Sequence, residues 1–239
     1  MKINSADISD YHAKQWRVTF DQSDISNESE WPRGSPLPFF SANHRMFKTI
    51  EISMLVYGDN REQIRNRISD ITALLMDAAT LELDGYVRKF RGILKKSSVK
   101  EGSDQARKRF QTLELEFEGY EYGEVVSTTA AGVTQLSVYN PGNVESPAVI
   151  TISPQIGMDE LTITGIGRDC SGTDLPATVY DLTTGKNVIL DGIDGLITED
   201  GILKEVDIWT LPAMKPGNNE ITLSSNRINI EVRVLPVYM

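Results

Sequence analysis

The sequence of 239 residues contains one cysteine and two histidines, and this scarcity limits the chemistry that the chain can carry. Cys170 has no second cysteine with which to form a disulfide bridge in the chain, and His12 and His44 lie far from it in sequence. This set does not provide the usual ligands of a zinc ion. We expect Cys170 to be a half-buried structural thiol, because free cysteine behaves as a small hydrophobic residue.

Several motifs of catalysis and membrane insertion are also missing from the sequence. It has no Gly-rich phosphate loop, no nucleophile elbow and no complete dinucleotide fingerprint around Gly165-Ile166-Gly167. No apolar run approaches the roughly 20 residues that a membrane helix needs, and the first residues contain no signal-peptide core. We therefore expect a non-enzymatic protein without cofactor, metal or membrane insertion.

Basic residues are scarce in the second half of the chain. Residues 1–128 hold 18 basic and 20 acidic residues, whereas residues 129–239 hold 6 basic and 14 acidic residues. The net charge of −10 argues against a nucleic-acid-binding protein. The asymmetry favours two domains with different surfaces, which we place at 1–130 and 131–239.

The first half alternates apolar and polar residues in several runs, which predicts strands. One face of the run 47–57 holds Ile50, Ile52, Met54 and Val56. After it, Asp59 and Glu62 resemble a capping box, and apolar residues then recur at helical spacing on one face of 60–76. They are Ile64, Ile68, Ile71, Leu74 and Leu75. This is the one amphipathic helix that the sequence predicts.

Residues 21–46 combine prolines with large aromatic side chains. The prolines are Pro32, Pro36 and Pro38, and they argue against a central strand. The aromatic residues are Trp31, Phe39 and Phe40. On a segment that we expect cannot enter a sheet, they need apolar surface to cover. Two interpretations stay open: a long loop folded over its own domain, or an arm that packs on a neighbouring subunit.

Two long predicted strands form a hairpin over residues 86–121 around a polar turn. A turn centred near 103–105 matches apolar residues and opposite charges across the strands. The expected pairs are Leu94 with Leu115, Gly92 with Phe117, Arg91 with Glu118 and Lys95 with Glu114.

Residues 86–109 carry nine basic and two acidic residues, a pattern that by itself suggests phosphate binding. The acidic partners on 114–118 favour instead a hairpin whose charges are paired or solvated. The uncompensated basic residues lie near its tip, where they would suit an acidic surface on another subunit. They are Lys100, Arg107, Lys108 and Arg109.

From residue 136 onward, about seven short β-prone runs separated by turn residues indicate a β-sandwich. The runs are 148–152, 160–164, 177–182, 187–190, 202–208, 219–223 and 227–234. The acidic residues between 191 and 200 are spaced by glycines and match no calcium loop, so we interpret them as turn residues. Trp209 ends an alternating run from Ile202, so we expect it in the core.

The chain resembles the distal tail protein family of long-tailed phages that infect Gram-positive bacteria. The likeness lies in Phe47–Gly58 with the helix after it, in the hairpin strands, and in several C-terminal motifs. These motifs are Tyr139–Asn143, Thr178–Leu190 and Leu211–Ile221, the last with Leu-Pro followed by Pro-Gly-Asn-Asn-Glu-Ile. The resemblance implies a mainly β fold. It would have an N-terminal β-sandwich-like domain with a helix and a long hairpin, then a C-terminal antiparallel β-sandwich of galectin or jelly-roll type.

The resemblance also implies a structural function at the virion tail tip, after synthesis and assembly in the host cytoplasm. The N-terminal domains would form a homohexameric ring around a channel for DNA, without stable nucleic-acid binding. The partners would be the tail-tube protein, a tail-associated or baseplate protein and the tape-measure protein. The length leaves no room for the carbohydrate-binding module that some members contain. Two alternatives are a carbohydrate-binding adhesion module acting through the C-terminal sandwich and a hydrolase with a carboxylate pair.

Overall fold

The computed structural model describes residues 1–21, 25–30, 33, 36–37, 39–45, 47–100, 109–169 and 171–239, with backbone alone for 25–30 and 39–45. The described chain is mainly antiparallel β structure with one α-helix, as the sequence predicts. It divides into one unit of residues 1–121 with Met239 and a second unit of residues 122–238. This division lies nine residues before the expected boundary at 130/131.

The first unit contains a large antiparallel sheet whose strand order is β2-β1-β7-β8-β9-β6-β3. A 3-10 helix (Ile8–Tyr11) and the α-helix α1 (Arg61–Ala73) accompany its strands. The strands of the unit are β1 (Lys2–Ile3), β2 (Ala6–Asp7), β3 (Ala13–Asp21), β4 (Ile25–Glu30), β5 (Phe39–Arg45), β6 (Lys48–Tyr57), β7 (Ala79–Glu82), β8 (Lys89–Lys100) and β9 (Phe110–Tyr122).

One face of this sheet and the apolar side of α1 form the core of the first unit. The predicted face of β6 is confirmed, since Ile50, Ile52, Met54 and Val56 are fully buried. Helix α1 contributes Ile64 and Ile71 to the same cluster. Complete burial of one such side chain stabilises a fold by about 1.5–3 kcal/mol, so this alternation fixes which face turns inward.

Helix α1 begins one residue later than the capping pattern predicts. Its N-cap is Asn60, whose side-chain oxygen accepts a hydrogen bond from the backbone N–H of Gln63 at 2.9 Å. The Gln63 side chain in turn accepts from the backbone N–H of Asp59 at 3.1 Å. The prediction of Asp59 with Glu62 was wrong, because Asn60 caps the helix and Gln63, at the same spacing, reaches back to the residue before the cap.

The hairpin of β8 and β9 has the predicted faces but not the predicted pairs. A Cβ atom added to Gly119 would lie 2.5 Å from the Cα of Gly92, so Gly92 lies beside Gly119 and not beside Phe117. Lys95 pairs with Glu118 rather than with Glu114. A shift of two residues keeps every side chain on its own face, which explains why alternation alone did not exclude it.

The segment 21–46 contains two strands, β4 and β5, which pair with each other in a two-stranded sheet. Phe39 pairs with Glu30 and Phe40 with Ser29. The expectation that these two aromatics stand on a segment that cannot enter a sheet was therefore wrong. The three prolines do not contradict this pairing, because they occupy positions 32, 36 and 38, between the two strands.

The second unit has two antiparallel sheets whose inward side chains build one core, and this confirms the predicted β-sandwich. One sheet has the order β10-β21-β12-β15-β16-β17, with β19 beside β12, and the other has the order β11-β20-β13-β14-β18. Their strands are β10 (Val126–Ala131), β11 (Gln135–Asn140), β12 (Ser146–Pro154), β13 (Met158–Thr164), β14 (Ala177–Leu182), β15 (Val188–Asp191), β16 (Leu196–Glu199), β17 (Ile202–Leu203), β18 (Val206–Asp207), β19 (Ala213–Met214), β20 (Gly217–Leu223) and β21 (Ile228–Val234). Strand β22 (Val237–Tyr238) belongs to neither of these two sheets.

Two buried asparagines explain the most distinctive C-terminal motifs. Asn140 donates to the carbonyls of Val144 and Met214, and its side-chain oxygen accepts from Gly142 N–H at 2.8 Å. Asn219 accepts from Lys215 N–H at 2.9 Å and donates to the carbonyl oxygens of Lys215 and Gly217. Both side chains are almost fully buried. The motifs that carry the resemblance thus hold loops together in the fold.

Candidate interaction surfaces

The residues expected to contact other subunits fall in two regions of the first unit. Trp31, Arg107 and Lys108 lie outside the described residues, as does Cys170. Phe39 and Phe40 begin β5, whose backbone alone is described. Lys100 and Arg109 are exposed at the two ends of the hairpin strands, on either side of the residues that are not described. Their function as subunit contacts stays a prediction.

The side of the first sheet that faces away from the core contains a groove of about 330 Å³ lined mainly by polar side chains. Four strands contribute to it: Arg17 and Thr19 from β3, Glu51 and Ser53 from β6, Lys96, Ser98 and Lys100 from β8, and Glu114 and Glu116 from β9. Charges of both signs therefore face the solvent on this side of the sheet.

Ion pairs across the hairpin neutralise part of its positive charge. Lys95 Nζ lies 2.8 Å from Glu118, and Lys100 Nζ lies 2.6 Å from Glu114. The expectation that Lys100 is uncompensated was therefore wrong. The hydrogen bond with Glu118 raises the pKa of Lys95 above its ordinary value. Glu116, by contrast, lies directly opposite Glu51 on β6, an arrangement of like charges that destabilises a sheet. The hairpin therefore offers fewer free cations than its composition suggests.

The second unit exposes a group of large apolar residues between positions 193 and 211. Trp209 is 78% exposed, and Ile202 and Leu203 are each 75% exposed. The expectation that Trp209 lies in the core was wrong. The run 202–208 forms two strands of two residues each, and Trp209 follows the second one. Val206 and Ile208 pack against the core of the sandwich, and Trp209, one position after Ile208, faces the opposite way. Residues 193–211 also carry several exposed carboxylates, and this segment is called the acidic ridge below.

The acidic residues around Asp191 form turns, as their spacing with glycine predicts. The carboxylate of Asp191 accepts hydrogen bonds from the backbone N–H groups of Ile193 and Asp194, at 2.8 and 3.0 Å. Asp200, which has a positive φ of 48°, accepts from Asn187 N–H at 3.1 Å. In the described part of the chain, no group of three or more His, Cys, Asp or Glu residues has the geometry of a metal site.

The whole chain superposes on a solved phage protein. It matches the Dit (gp 19.1) protein of SPP1, described as a paradigm of the hub adsorption apparatus in phages that infect Gram-positive bacteria. The TM-score is 0.76, and the alignment covers 99% of this chain and 98% of that chain at 14% sequence identity. This chain shares the fold of a phage hub protein.

The hub fold also matches two structures of the phage p2 baseplate in its activated conformation, one with strontium and one with calcium. Each has a TM-score of 0.54 and 9% identity, over 96% of this chain and 92% of that chain. No protein-family model and no curated protein matches the sequence. The resemblance drawn from the order of the motifs is confirmed at the level of the fold.

Among the described residues of this hub fold, no helix combines the length and apolar character that a membrane-crossing helix needs.

Proposed function

We propose that the protein is a non-enzymatic structural subunit of a phage tail tip. Six copies would form a ring that joins the tail tube to the host-adsorption apparatus and leaves a channel for DNA. The observation that carries the proposal is the match to the SPP1 hub protein, which extends over 99% of this chain. A match of this extent includes both units and their order, so it supports a function of the whole chain.

The first unit is the proposed ring former, and two free strand edges support this assignment. Strand β3 ends the sheet order on one side. On the other side, β7 pairs with β8 only from Phe90 to Gly92, so among the described residues the edge of β8 beyond Gly92 has no strand beside it. Free edges invite pairing with another chain. Pairing β3 of one copy with β8 of the next would be a heterologous contact, the kind that closes rings.

A channel for DNA must not hold phosphate groups, because each neutralised phosphate adds affinity. The ion pairs of Lys95 and Lys100 across the hairpin support this function of the first unit. The remaining expected partners belong to the same proposal. They are the tail-tube protein on one side of the ring, the tail-associated or baseplate protein on the other, and the tape-measure protein within.

Size-exclusion chromatography with light scattering, followed by negative-stain imaging, tests the ring. Six chains of 26.6 kDa would give a particle of about 160 kDa with a central hole. Alanine at Trp31, Phe39 and Phe40 together should release monomers if the arm 21–46 contacts the next subunit. Intact rings in that variant would reject the arm as a contact, and a monomer at every concentration of the unaltered protein would reject the ring.

A further inference from the structure

The acidic ridge exposes six large apolar side chains within nineteen consecutive residues. They are Ile193 (38% exposed), Leu196 (51%), Ile202 (75%), Leu203 (75%), Trp209 (78%) and Leu211 (45%). Single exposed apolar residues are common on protein surfaces, but a contiguous group of them marks an interaction site. Whether these six are contiguous depends on their place in the sandwich.

The ridge forms one border of the second unit. Strand β17 ends the order of one sheet and β18 ends the order of the other, and only Lys204 and Glu205 separate them. Both sheets therefore end at strands from the same short stretch of chain. Among the described residues, no further strand pairs with β17 or β18 on its outer side. Such an edge can accept an additional strand from a partner.

Register and contacts bring three of the apolar residues of the ridge together. Leu203 lies opposite Thr198 on β16, and Leu196, two residues before Thr198, points to the same face. Leu203 and Leu196 are thus diagonal neighbours, within reach of long side chains. Leu211 lies 3.6 Å from the position that a Cβ of Gly195 would take, beside Leu196 and near Ile193. Leu196, Leu203 and Leu211 therefore form a shared apolar surface on the ridge.

The exposed charges on the ridge have one sign. Asp194, Asp200, Glu205 and Asp207 are exposed. The one basic residue of the segment, Lys204, turns inward, and its Nζ lies 3.1 Å from Glu199 and 3.1 Å from the carbonyl of Asp181. Its side chain is only 10% exposed. The exposed part of the ridge thus combines apolar surface with carboxylates and no cation.

This combination restricts the partner. Carboxylates repel nucleic acid and anionic lipid headgroups, and they also oppose the packing of two identical ridges against each other. We propose that the acidic ridge docks an extended, basic segment of another protein. The segment adds a strand beside β17 and β18. The ridge exposes every second side chain from Leu203 to Trp209, in the order apolar, acidic, acidic, apolar. The side chains of the segment that face them, also at every second position, are therefore apolar, basic, basic and apolar.

Fluorescence of Trp209 provides the test in the full chain. Replacing Trp16 and Trp31 by Phe leaves Trp209 as the only tryptophan. The probe is the seven-residue peptide Val-Thr-Lys-Thr-Lys-Thr-Val, called the Lys peptide, and it is compared with a Glu peptide in which Glu replaces both Lys residues. We expect the Lys peptide alone to move the Trp209 emission to shorter wavelength, saturably, and more weakly as salt is raised.

Matched variants separate the ridge from general attraction to an acidic protein. Leu203→Ser should weaken binding of the Lys peptide by about tenfold, whereas Ile156→Ser, at an exposed apolar position elsewhere on the unit, should leave it unchanged. Glu205→Gln with Asp207→Asn should weaken binding and flatten its salt dependence, whereas Glu160→Gln with Glu220→Gln should do neither. If Leu203→Ser and Ile156→Ser weaken binding equally, or if the two double variants do, the proposal is overturned.

Three further outcomes would also overturn it. Equal binding of the Glu peptide would remove the charge argument. A Trp209 shift with neutral oligosaccharides, but not with the Lys peptide, would make the ridge a glycan site. A concentration-dependent shift of the protein alone, abolished by Leu203→Ser, would make the occupant a second copy. The assay is independent of the ring, because a monomer that binds the Lys peptide contradicts only the hexamer.

Discussion

At the scale of single residues, Asn219 shows what a motif residue does in this fold. Its side chain satisfies the backbone on both sides of the turn at Lys215–Gly217 and is 3% exposed. Asn219→Ala would leave these backbone groups without their partner, so we expect the free energy of unfolding of the second unit to fall by about 1–3 kcal/mol. Urea denaturation measures this change.

The adjacent Asn218 is the control for that variant, since it is also an asparagine but its side chain is exposed. Asn218→Ala should change the free energy of unfolding by no more than about 0.5 kcal/mol. Equal losses for the two variants would mean that the strand, and not the buried side chain of Asn219, accounts for the effect.

Residue-level expectations from the sequence succeeded in a long strand and failed where the strands are short. The four apolar residues of β6 alternate and are all buried, since a long strand against a core admits one orientation. Trp209 follows a strand of only two residues. Val206 and Ile208 pack against the core, so Trp209, one position further along, turns outward. A pattern of this length does not distinguish a core strand from an exposed border, so the ridge escaped prediction.

At the scale of elements, the hairpin β8–β9 links sequence pattern, charge and proposed function. Glu114 and Glu118 hold Lys100 and Lys95 in ion pairs. Replacing both glutamates by Gln would free the two lysines without changing size or shape. We expect the double variant to bind a short DNA duplex that the unaltered protein does not bind, with affinity that falls steeply as salt increases. Fluorescence anisotropy of labelled duplex measures it.

The control for this prediction is Glu160→Gln with Glu220→Gln, which changes the net charge equally on the second unit, where both glutamates are exposed. This variant should not gain DNA binding. If both double variants gain affinity alike, net charge rather than the pairing on the hairpin prevents DNA binding. If neither gains any, the lysines of the hairpin do not face a DNA-accessible surface.

The same hairpin shows which part of an element a sequence determines. Periodicity identified its strands, their inward faces and the presence of cross-strand ion pairs. It did not fix the pairs, because a shift of two residues preserves both alternation and the charge match. The close approach of Gly92 and Gly119 decides the register in the structure. Because glycine has no side chain, the pattern of apolar and charged residues contains no sign that Gly92 and Gly119 lie side by side.

At the scale of the whole molecule, the position of the boundary between the units has a measurable consequence. Residues 123–135 are small and weakly patterned, which suggested a linker and a boundary at 130/131. In the structure, β10 (Val126–Ala131) lies in this stretch and pairs along its full length with β21. Small residues such as Thr and Ala can form the edge strand β10 because the neighbouring strand, β21, supplies the apolar core residues. These are Ile230, Val232 and Val234.

Two fragments of the chain test this boundary. Residues 122–239 retain β10, whereas residues 131–239 lose five of its six residues and expose the edge of β21. Since each unit has its own buried core, we expect the longer fragment to unfold cooperatively in urea. The shorter one should unfold at lower urea concentration and aggregate through its new free edge. Equal midpoints for the two fragments would show that β10 contributes nothing to the sandwich and that the boundary belongs at 130/131.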